Sequence, residues 1–231
     1  MIAASALARA EKILDDALAR YSGKIALACS FGGPSGMVLL DLIVKRDASI
    51  PVYFLDTGLL FDETYALVER VRGRYGIEPI AVRPELTVAQ QNARYGEALW
   101  ARDPDACCNL RKVVPQQQFL ANFDAWITGI RRDQSATRTN VDVVSQDDTT
   151  GLAKIAPLAD WTSEDIWAYV VAHDVPYNPL NDHGYPSLGC THCTRAIAVG
   201  EDPRAGRWSG FDKLECGLHA SNPAHTENGK S

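Results

Sequence analysis

Apolar positions recur at helical spacing from the start of the chain. Ala6, Leu7, Ala10, Ile13, Leu14, Ala17 and Leu18 share one face of a helix predicted over residues 3–20. The pattern then changes to a continuous apolar run over 24–30, which predicts a buried strand. A Gly-rich turn at 31–36 leads into a helix over 37–45. The cycle repeats as a strand at 50–55, a turn at Asp56-Thr57-Gly58, a helix over 62–75 and a strand at 78–83. Residues 87–120 read as mostly helical, broken around Asp103-Pro104-Asp105. A strand at 124–128 runs into the segment 129–135, and short extended pieces occupy 141–158. Thr162 and Asp165 are spaced to cap a helix over 164–172, which Trp161 and Trp167 pack into the core. Strands alternating with helices predict an α/β fold, a Rossmann-like parallel sheet with helices on both faces. Ligands of such sheets lie beyond the carboxyl ends of the strands. The turns at 31–36, 56–58 and 129–135 therefore share one crevice.

The pattern breaks up after Asn178, where Gly and Pro interrupt any regular period. Residues 1–210 read as a single α/β domain and 211–231 as a mobile C-terminal tail, poor in large apolar side chains near its end. Composition narrows the function. The 231 residues carry 23 Lys+Arg and 29 Asp+Glu, a formal net charge of −6. An acidic chain without a Lys/Arg block is a poor nucleic-acid binder. The longest strongly apolar stretch, 37–44, is interrupted by Asp41 and falls far short of the roughly 20 apolar residues a membrane helix needs. The first 20 residues form an amphipathic helix rather than a signal peptide. The expectation is a cytoplasmic protein with no membrane and no nucleic-acid partner.

The six cysteines change the picture most. Cys107 and Cys108 are adjacent, and Cys190 and Cys193 form a Cys-x-x-Cys pair. Two tight pairs far apart in sequence suit four ligands of one metal centre better than a secreted disulfide framework. Adjacent thiolates share one centre only if the chain bends to turn both inward. Four thiolates suit either zinc or a [4Fe–4S] cluster, and residue chemistry alone does not separate the two. Cys29 lies in the apolar run as a core thiol, which leaves Cys216 near the C-terminus as the odd one. Lys112, one helical turn after Cys108, places a cation beside the thiolates. None of His173, His183 and His192 is needed as a ligand.

The turn Ser30-Phe31-Gly32-Gly33-Pro34-Ser35-Gly36 places backbone N–H groups at a helix start, where an anion is favoured. It resembles the Ser-Gly-Gly-x-Asp-Ser loop of adenine nucleotide α-hydrolase enzymes. Phe31 offsets the first glycine, and Pro34-Ser35-Gly36 stands in place of the acid. That departure points to a nucleotide that is bound but not cleaved as ATP, and argues against an ATP-splitting adenylating enzyme. Cys-Cys-x-x-x-Lys, the distant Cys-x-x-Cys, Gly129-Ile130-Arg131-Arg132-Asp133-Gln134-Ser135 and Glu215-Cys216-Gly217-Leu218-His219 together resemble assimilatory adenylyl-sulfate reductases of the bacterial iron–sulfur type. The resemblance spans nearly the whole chain.

That resemblance implies a [4Fe–4S] cluster on Cys107, Cys108, Cys190 and Cys193. It implies reduction of adenylyl sulfate to sulfite and AMP, in sulfate assimilation, and dimers or tetramers among relatives. Cys216 would be the nucleophile that forms a cysteine S-sulfonate, helped by Lys213 and His219 nearby in sequence. With four cysteines as ligands and Cys29 buried, an external dithiol must release the sulfite, and the family implies thioredoxin or glutaredoxin. A compact polyanion needs clustered Arg forks. Arg131, Arg132 and Arg138 follow the fourth strand, and Arg204 and Arg207 match the family's Arg-containing segment. Lys112, Ser30, Gly32, Gly33, Asp56, Thr57 and Gly58 complete the expected substrate site. Two rivals remain open at this point: a reductase taking the 3′-phosphorylated substrate or both substrates, and a metal-cluster redox sensor on a vestigial nucleotide fold.

Overall fold

A computed structural model describes residues 3–218. Six strands form one sheet in the order β3-β2-β1-β4-β6-β5. The strands are β1 (Ile25–Ala28), β2 (Val52–Leu55), β3 (Ile80–Val82), β4 (Ala125–Thr128), β5 (Val144–Gln146) and β6 (Ala153–Ile155). All neighbours pair parallel except β5 with β6. The sheet is thus mixed, with one antiparallel edge. Residues 146–153 connect β5 and β6 directly, so no crossover helix fits there and the pair closes as a hairpin.

Alternation along the strands builds two cores. Ile25 and Leu27, Val52 and Phe54, and Ala125 and Ile127 face one side. There they meet the apolar stripes of α1 (Ala4–Arg20), α2 (Pro34–Val44), α3 (Asp62–Tyr75) and α8 (Ser163–Ala172). Ala26, Tyr53 and Trp126 face the other side and meet Leu120 of α7 (Val114–Leu120), with Phe119 and Phe123 packed around them. The helices therefore cover both faces, as the sequence predicts. Helix α2 is apolar except for Ser35 and Asp41 and largely buried, and it starts at Pro34, three residues before the predicted start. Proline suits that first helical position, where its missing N–H costs nothing. Between β3 and β4 three short helices precede α7: α4 (Val88–Tyr95), α5 (Leu99–Arg102) and α6 (Pro104–Cys108). Asp103 makes the predicted break and caps α6 by accepting from the Ala106 N–H at 2.9 Å. Among the described residues no helix is long and apolar enough to cross a membrane.

Strand order reverses between β1 and β4, so the segments leaving these two strands diverge and open a crevice. They pass very close together. A Cβ on Gly129 would stand 3.1 Å from the Gly36 nitrogen and the Ser35 carbonyl carbon, so glycine eases the exit of β4 beside the start of α2. The predicted pair Thr162 and Asp165 forms a reciprocal capping box. Thr162 Oγ1 accepts from the Asp165 N–H at 3.1 Å, and Asp165 accepts from the Thr162 N–H at 3.0 Å. Thr162→Ala should cost about 1 kcal/mol. For a chain of this size that lowers the melting temperature by roughly 2–4 °C, measurable by calorimetry.

Candidate active site and thiol cluster

Cys107, Cys108, Cys190 and Cys193 line one pocket together with Arg111 and Lys112. Successive side chains on an α-helix point about 100° apart, so adjacent cysteines do not face one pocket by default. The helix widens directly after them. Residues Asn109–Val113 form a π turn, in which the Val114 N–H bonds the Asn109 carbonyl five residues back. Pro115 gives a cause. It has no N–H to offer the Arg111 carbonyl, and its ring crowds that carbonyl. The turn also points Arg111 and Lys112 inward, leaving them 3% and 8% exposed.

Among the described residues all six cysteines are free thiols. Burial, followed by the neighbouring thiolates of Cys108, Cys190 and Cys193, pushes the Cys107 thiol up to about 11. Burial and Cys190 push Cys193 up to about 11 as well. Burial would lower Lys112, but the thiolates of Cys190, Cys216 and Cys108 outweigh it and hold the ammonium above its ordinary value. Arg111 donates to the Thr57 carbonyl (2.6 Å), the Leu86 carbonyl (3.3 Å) and Gln91 Oε1 (3.0 Å), all neutral acceptors. Two buried cations bonded to no carboxylate thus stand beside four thiols. Four thiolates on a centre of charge +2 leave a net charge of −2, which two cations match. The donor set fits a thiolate-bound metal group in type, number and charge. Among the described residues no three His, Cys, Asp or Glu side chains draw together around a single ion.

The strand-end turn after β2 supports this pocket and lies outside the cleft where Asp56, Thr57 and Gly58 were expected. Thr57 Oγ1 lies 3.3 Å from Cys190 Sγ, and its carbonyl holds Arg111. Asp56 accepts from Arg83 (2.9 Å), Tyr65 (2.7 Å) and the Gly58 N–H (3.1 Å). Gly58, at φ +67°, faces the Arg111 guanidinium. These bonds turn the segment toward the thiols. On the outer side the Trp100 and His192 rings stack at 4.3 Å, and both line the pocket.

A cleft of about 420 Å³ opens beyond the ends of β1 and β4. Ser30, Gly32, Gly33, Lys112, Arg131, Arg138, Arg204, Arg207 and Cys216 line it. Lys112 therefore reaches the thiol pocket and the cleft at once. Arg132 does not line the cleft. Its guanidinium binds Asp160 and the Val141 carbonyl on the outside of the domain. Arg131 lines the cleft wall, but Asp133, the Trp161 carbonyl and Ser35 take its donors. Phe31 holds the left-handed conformation at φ 53°, with its ring buried edge-on to Phe54 and its carbonyl accepting from Asn178. The turn conformation that glycine would adopt freely is thus stabilised by packing.

Trp208 was not anticipated, although an aromatic after Arg204 and Arg207 is a readable signal. Its ring lies under three cations: Arg207 at 4.4 Å, Lys213 at 5.4 Å and Arg204 at 5.9 Å. Among the described residues Arg207 Nε and Trp208 Nε1 are buried donors without an acceptor. A Cβ on Gly189 would displace the Arg207 guanidinium from its present position. The described tail residues, 211–218, are folded against the domain, with Lys213 paired to Asp105 and Glu215 to Arg138 and Arg204. His219, and the rest of the expected tail to residue 231, lie outside the described residues.

Residues 24–196 match the Phosphoadenosine phosphosulfate reductase domain, three-quarters of the chain. The chain belongs to this family. As a member of the phosphoadenosine phosphosulfate reductase family it is an oxidoreductase of sulfate assimilation. It is 54% identical over 200 residues to the adenosine 5′-phosphosulfate reductase of Halalkalibacterium halodurans, covering 86% of each chain. It is 49% identical over 213 residues to the phosphoadenosine 5′-phosphosulfate reductase of Gloeobacter violaceus, covering 91% of this chain and 88% of the relative. The phosphoadenylyl-sulfate reductase of Candida auris, solved as a phosphate complex, superposes with a TM-score of 0.69 at 29% identity, covering 79% of this chain and 88% of that one.

Two outcomes follow from the site. Pro115→Ala, which allows an ordinary helical turn, should keep the fold by circular dichroism but lower the metal bound per chain, measured by elemental analysis. Burial pushes the Cys29 thiol up to about 12. At pH 8 native protein should therefore leave Cys29 unalkylated, and peptide mapping should find it labelled only after denaturation.

Proposed function

We propose that this chain reduces adenylyl sulfate to sulfite and AMP, using Cys216 as nucleophile. One observation carries the reading. Cys216, more open than the buried Cys29 beside the same cleft, lines that cleft with Lys112, Arg204, Arg207 and Trp208, and Arg207 Nε and Trp208 Nε1 lack an acceptor among the described residues. Cationic donors without acceptors suit a phosphosulfate. The Ser30–Gly33 turn at the start of α2 suits the nucleotide phosphate, although Pro34 removes one N–H from that helix end.

The chemistry follows from this placement. The Cys216 thiolate attacks the sulfate sulfur. A sulfur–sulfur bond forms, the bond from sulfur to the bridging oxygen breaks, and AMP leaves with that oxygen and its electron pair. Arg204, Arg207 and Lys112 stabilise the negative charge gathering on the bridging and phosphate oxygens. An external thiolate then attacks the Cys216 sulfur, and sulfite departs with the electron pair. The second thiol of the same dithiol resolves the mixed disulfide. Sulfur falls from +6 to +4 while one dithiol becomes a disulfide, so electrons balance. We assign the dithiol to thioredoxin or glutaredoxin, the compartment to the cytoplasm, and the assembly to a homodimer or homotetramer. The family resemblance supports these three assignments.

Cys107, Cys108, Cys190 and Cys193 would hold a [4Fe–4S] cluster. Thiols that line a pocket without crowding one point suit a group wider than a single zinc ion. When bound, the cluster supplies a fixed negative charge that keeps Lys112 buried and ionised at the cleft wall. The two-electron path through Cys216 needs no one-electron carrier. A second reading, the 3′-phosphorylated substrate, is favoured by the names of the Gloeobacter and Candida relatives.

Anaerobically purified protein incubated with adenylyl sulfate and no dithiol should gain about 80 Da on Cys216, read by intact-mass spectrometry and peptide mapping. The same mass gained only from the 3′-phosphorylated compound would move the assignment to that substrate. No gain from either, with iron and sulfide at full content, would favour a sensor role for the thiol pocket. Cys216→Ser should retain iron and release no sulfite.

A further inference from the structure

The Glu215 carboxylate immediately precedes Cys216 and is held by donors from two directions. Arg138 binds it with both prongs, Nε to Oε1 at 2.8 Å and Nη2 to Oε2 at 2.7 Å. Thr137 Oγ1 donates at 3.0 Å, and Arg204 Nη2 at 3.2 Å. The same Arg204 nitrogen donates to the Leu214 carbonyl at 2.7 Å. The side chains of Glu215, Arg138 and Arg204 are only 15%, 11% and 13% exposed. Apolar burial holds this segment only weakly, since Leu214 is 64% and Phe211 40% exposed and Leu218 is half-buried at the cleft. Its anchors are the Glu215 nest and Lys213, which is 8% exposed over the Trp208 ring and pairs with an Asp105 carboxylate that is 79% exposed. A carboxylate so open to water adds little to its pair.

Apart from Arg204, which serves both, the donors around Glu215 differ from those left for an anion. Arg138 gives its remaining bond to Gln134 Oε1 at 2.6 Å. Lys112, Arg207 Nε and Trp208 Nε1 remain without a carboxylate. We propose that Glu215 is the positioning residue for Cys216: clamped by Arg138, Thr137 and Arg204, it fixes the thiol over the cleft, and its release frees the thiol for an external partner. The proposal rests on Cys216 being the nucleophile. Arg138 is then a clamp on the protein's own carboxylate, and Arg204 is shared between that carboxylate and the cleft.

The test compares the anaerobically prepared full chain with Glu215→Gln and Glu215→Asp. The first readout is the rate and substrate dependence of the sulfonate adduct with adenylyl sulfate and no dithiol. The second is the rate at which iodoacetamide, a neutral reagent, alkylates Cys216 without substrate. Glu215→Gln should slow adduct formation roughly 10- to 100-fold, as misplacement of a reacting atom does. Half-saturation by adenylyl sulfate should stay within about twofold, because the anion donors remain. Alkylation of Cys216 should instead quicken by about threefold or more as the open state gains population. Glu215→Asp should recover part of both effects. Slower sulfonation with faster alkylation is a pairing that general loss of structure at the substrate site does not produce. Unchanged rates in both assays overturn the proposal. Faster adduct formation with tighter substrate binding also overturns it, by showing that Glu215 only blocks the arginines. If the parent chain forms no adduct, the nucleophile assignment fails by itself. The alkylation rates then still decide whether Glu215 holds the segment closed.

Discussion

Two buried cations organise this protein. Arg111 and Lys112 sit 3% and 8% exposed on a widened helical turn, and neither is bonded to a carboxylate. A buried charge left uncompensated costs several kcal/mol. The compensation available is the four thiols beside them, once those are ionised together. Neither partner is stable there alone, because burial raises Cys107 and Cys193 to about 11 as free thiols. Charge thus couples the two halves of the site. Arg111 carries the coupling outward through the Thr57 carbonyl at the end of β2 and Gln91 on α4. Lys112 carries it into the cleft. On the proposed reading, loss of the thiolate centre would leave both cations uncompensated.

The sheet supplies the other half of the arrangement. Divergence at β1 and β4 opens the crevice, and Gly129 lets the two exits pass within van der Waals reach. Arg131 ties them by binding Ser35 at the start of α2, Asp133 and the Trp161 carbonyl. Its charge stands behind the nucleotide turn while its donors are spent on the protein. Arg204 and Arg207 line the cleft from a segment with little regular structure, each guanidinium over the Trp208 ring.

Much of this was legible in the sequence because it rests on local periodicity or on spacing. The strand–helix alternation, the Thr162–Asp165 cap and the cysteine pairs are all of that kind. Features set by tertiary partners were not. Arg131, Arg132 and Arg138 look alike in sequence, yet Asp160 draws Arg132 outward and Glu215, 77 residues away, engages Arg138. Asp56-Thr57-Gly58 was read as a nucleotide turn because it ends a strand, but Arg111 and Cys190 claim it from distant segments. The antiparallel edge strand is too short at three residues to show its direction. The π turn was foreshadowed only as a demand, that the chain bend if adjacent thiols are to converge. Pro115 was its visible cause, and the periodic reading of 87–120 as helix passed over it.

One residue type takes three roles here through environment alone. Cys29 is 1% exposed against Met37, where burial pushes its thiol to about 12, so it neither ionises nor exchanges at neutral pH. Four further thiols face each other across one pocket beside two cations. Cys216 reaches the arginine-lined cleft on a segment held largely by charge, where the buried Cys29 meets it only from the core side. A thiol that accepts a sulfonate group needs a second thiol to release it. The chain has no seventh cysteine, and the core thiol and the four pocket thiols are engaged elsewhere. On this reading the reaction cannot finish within one subunit's own cysteines. The attachment of Cys216 therefore has to be firm enough to aim the thiol and weak enough to surrender it, a balance that a few partly buried ion pairs meet and a packed apolar anchor would not.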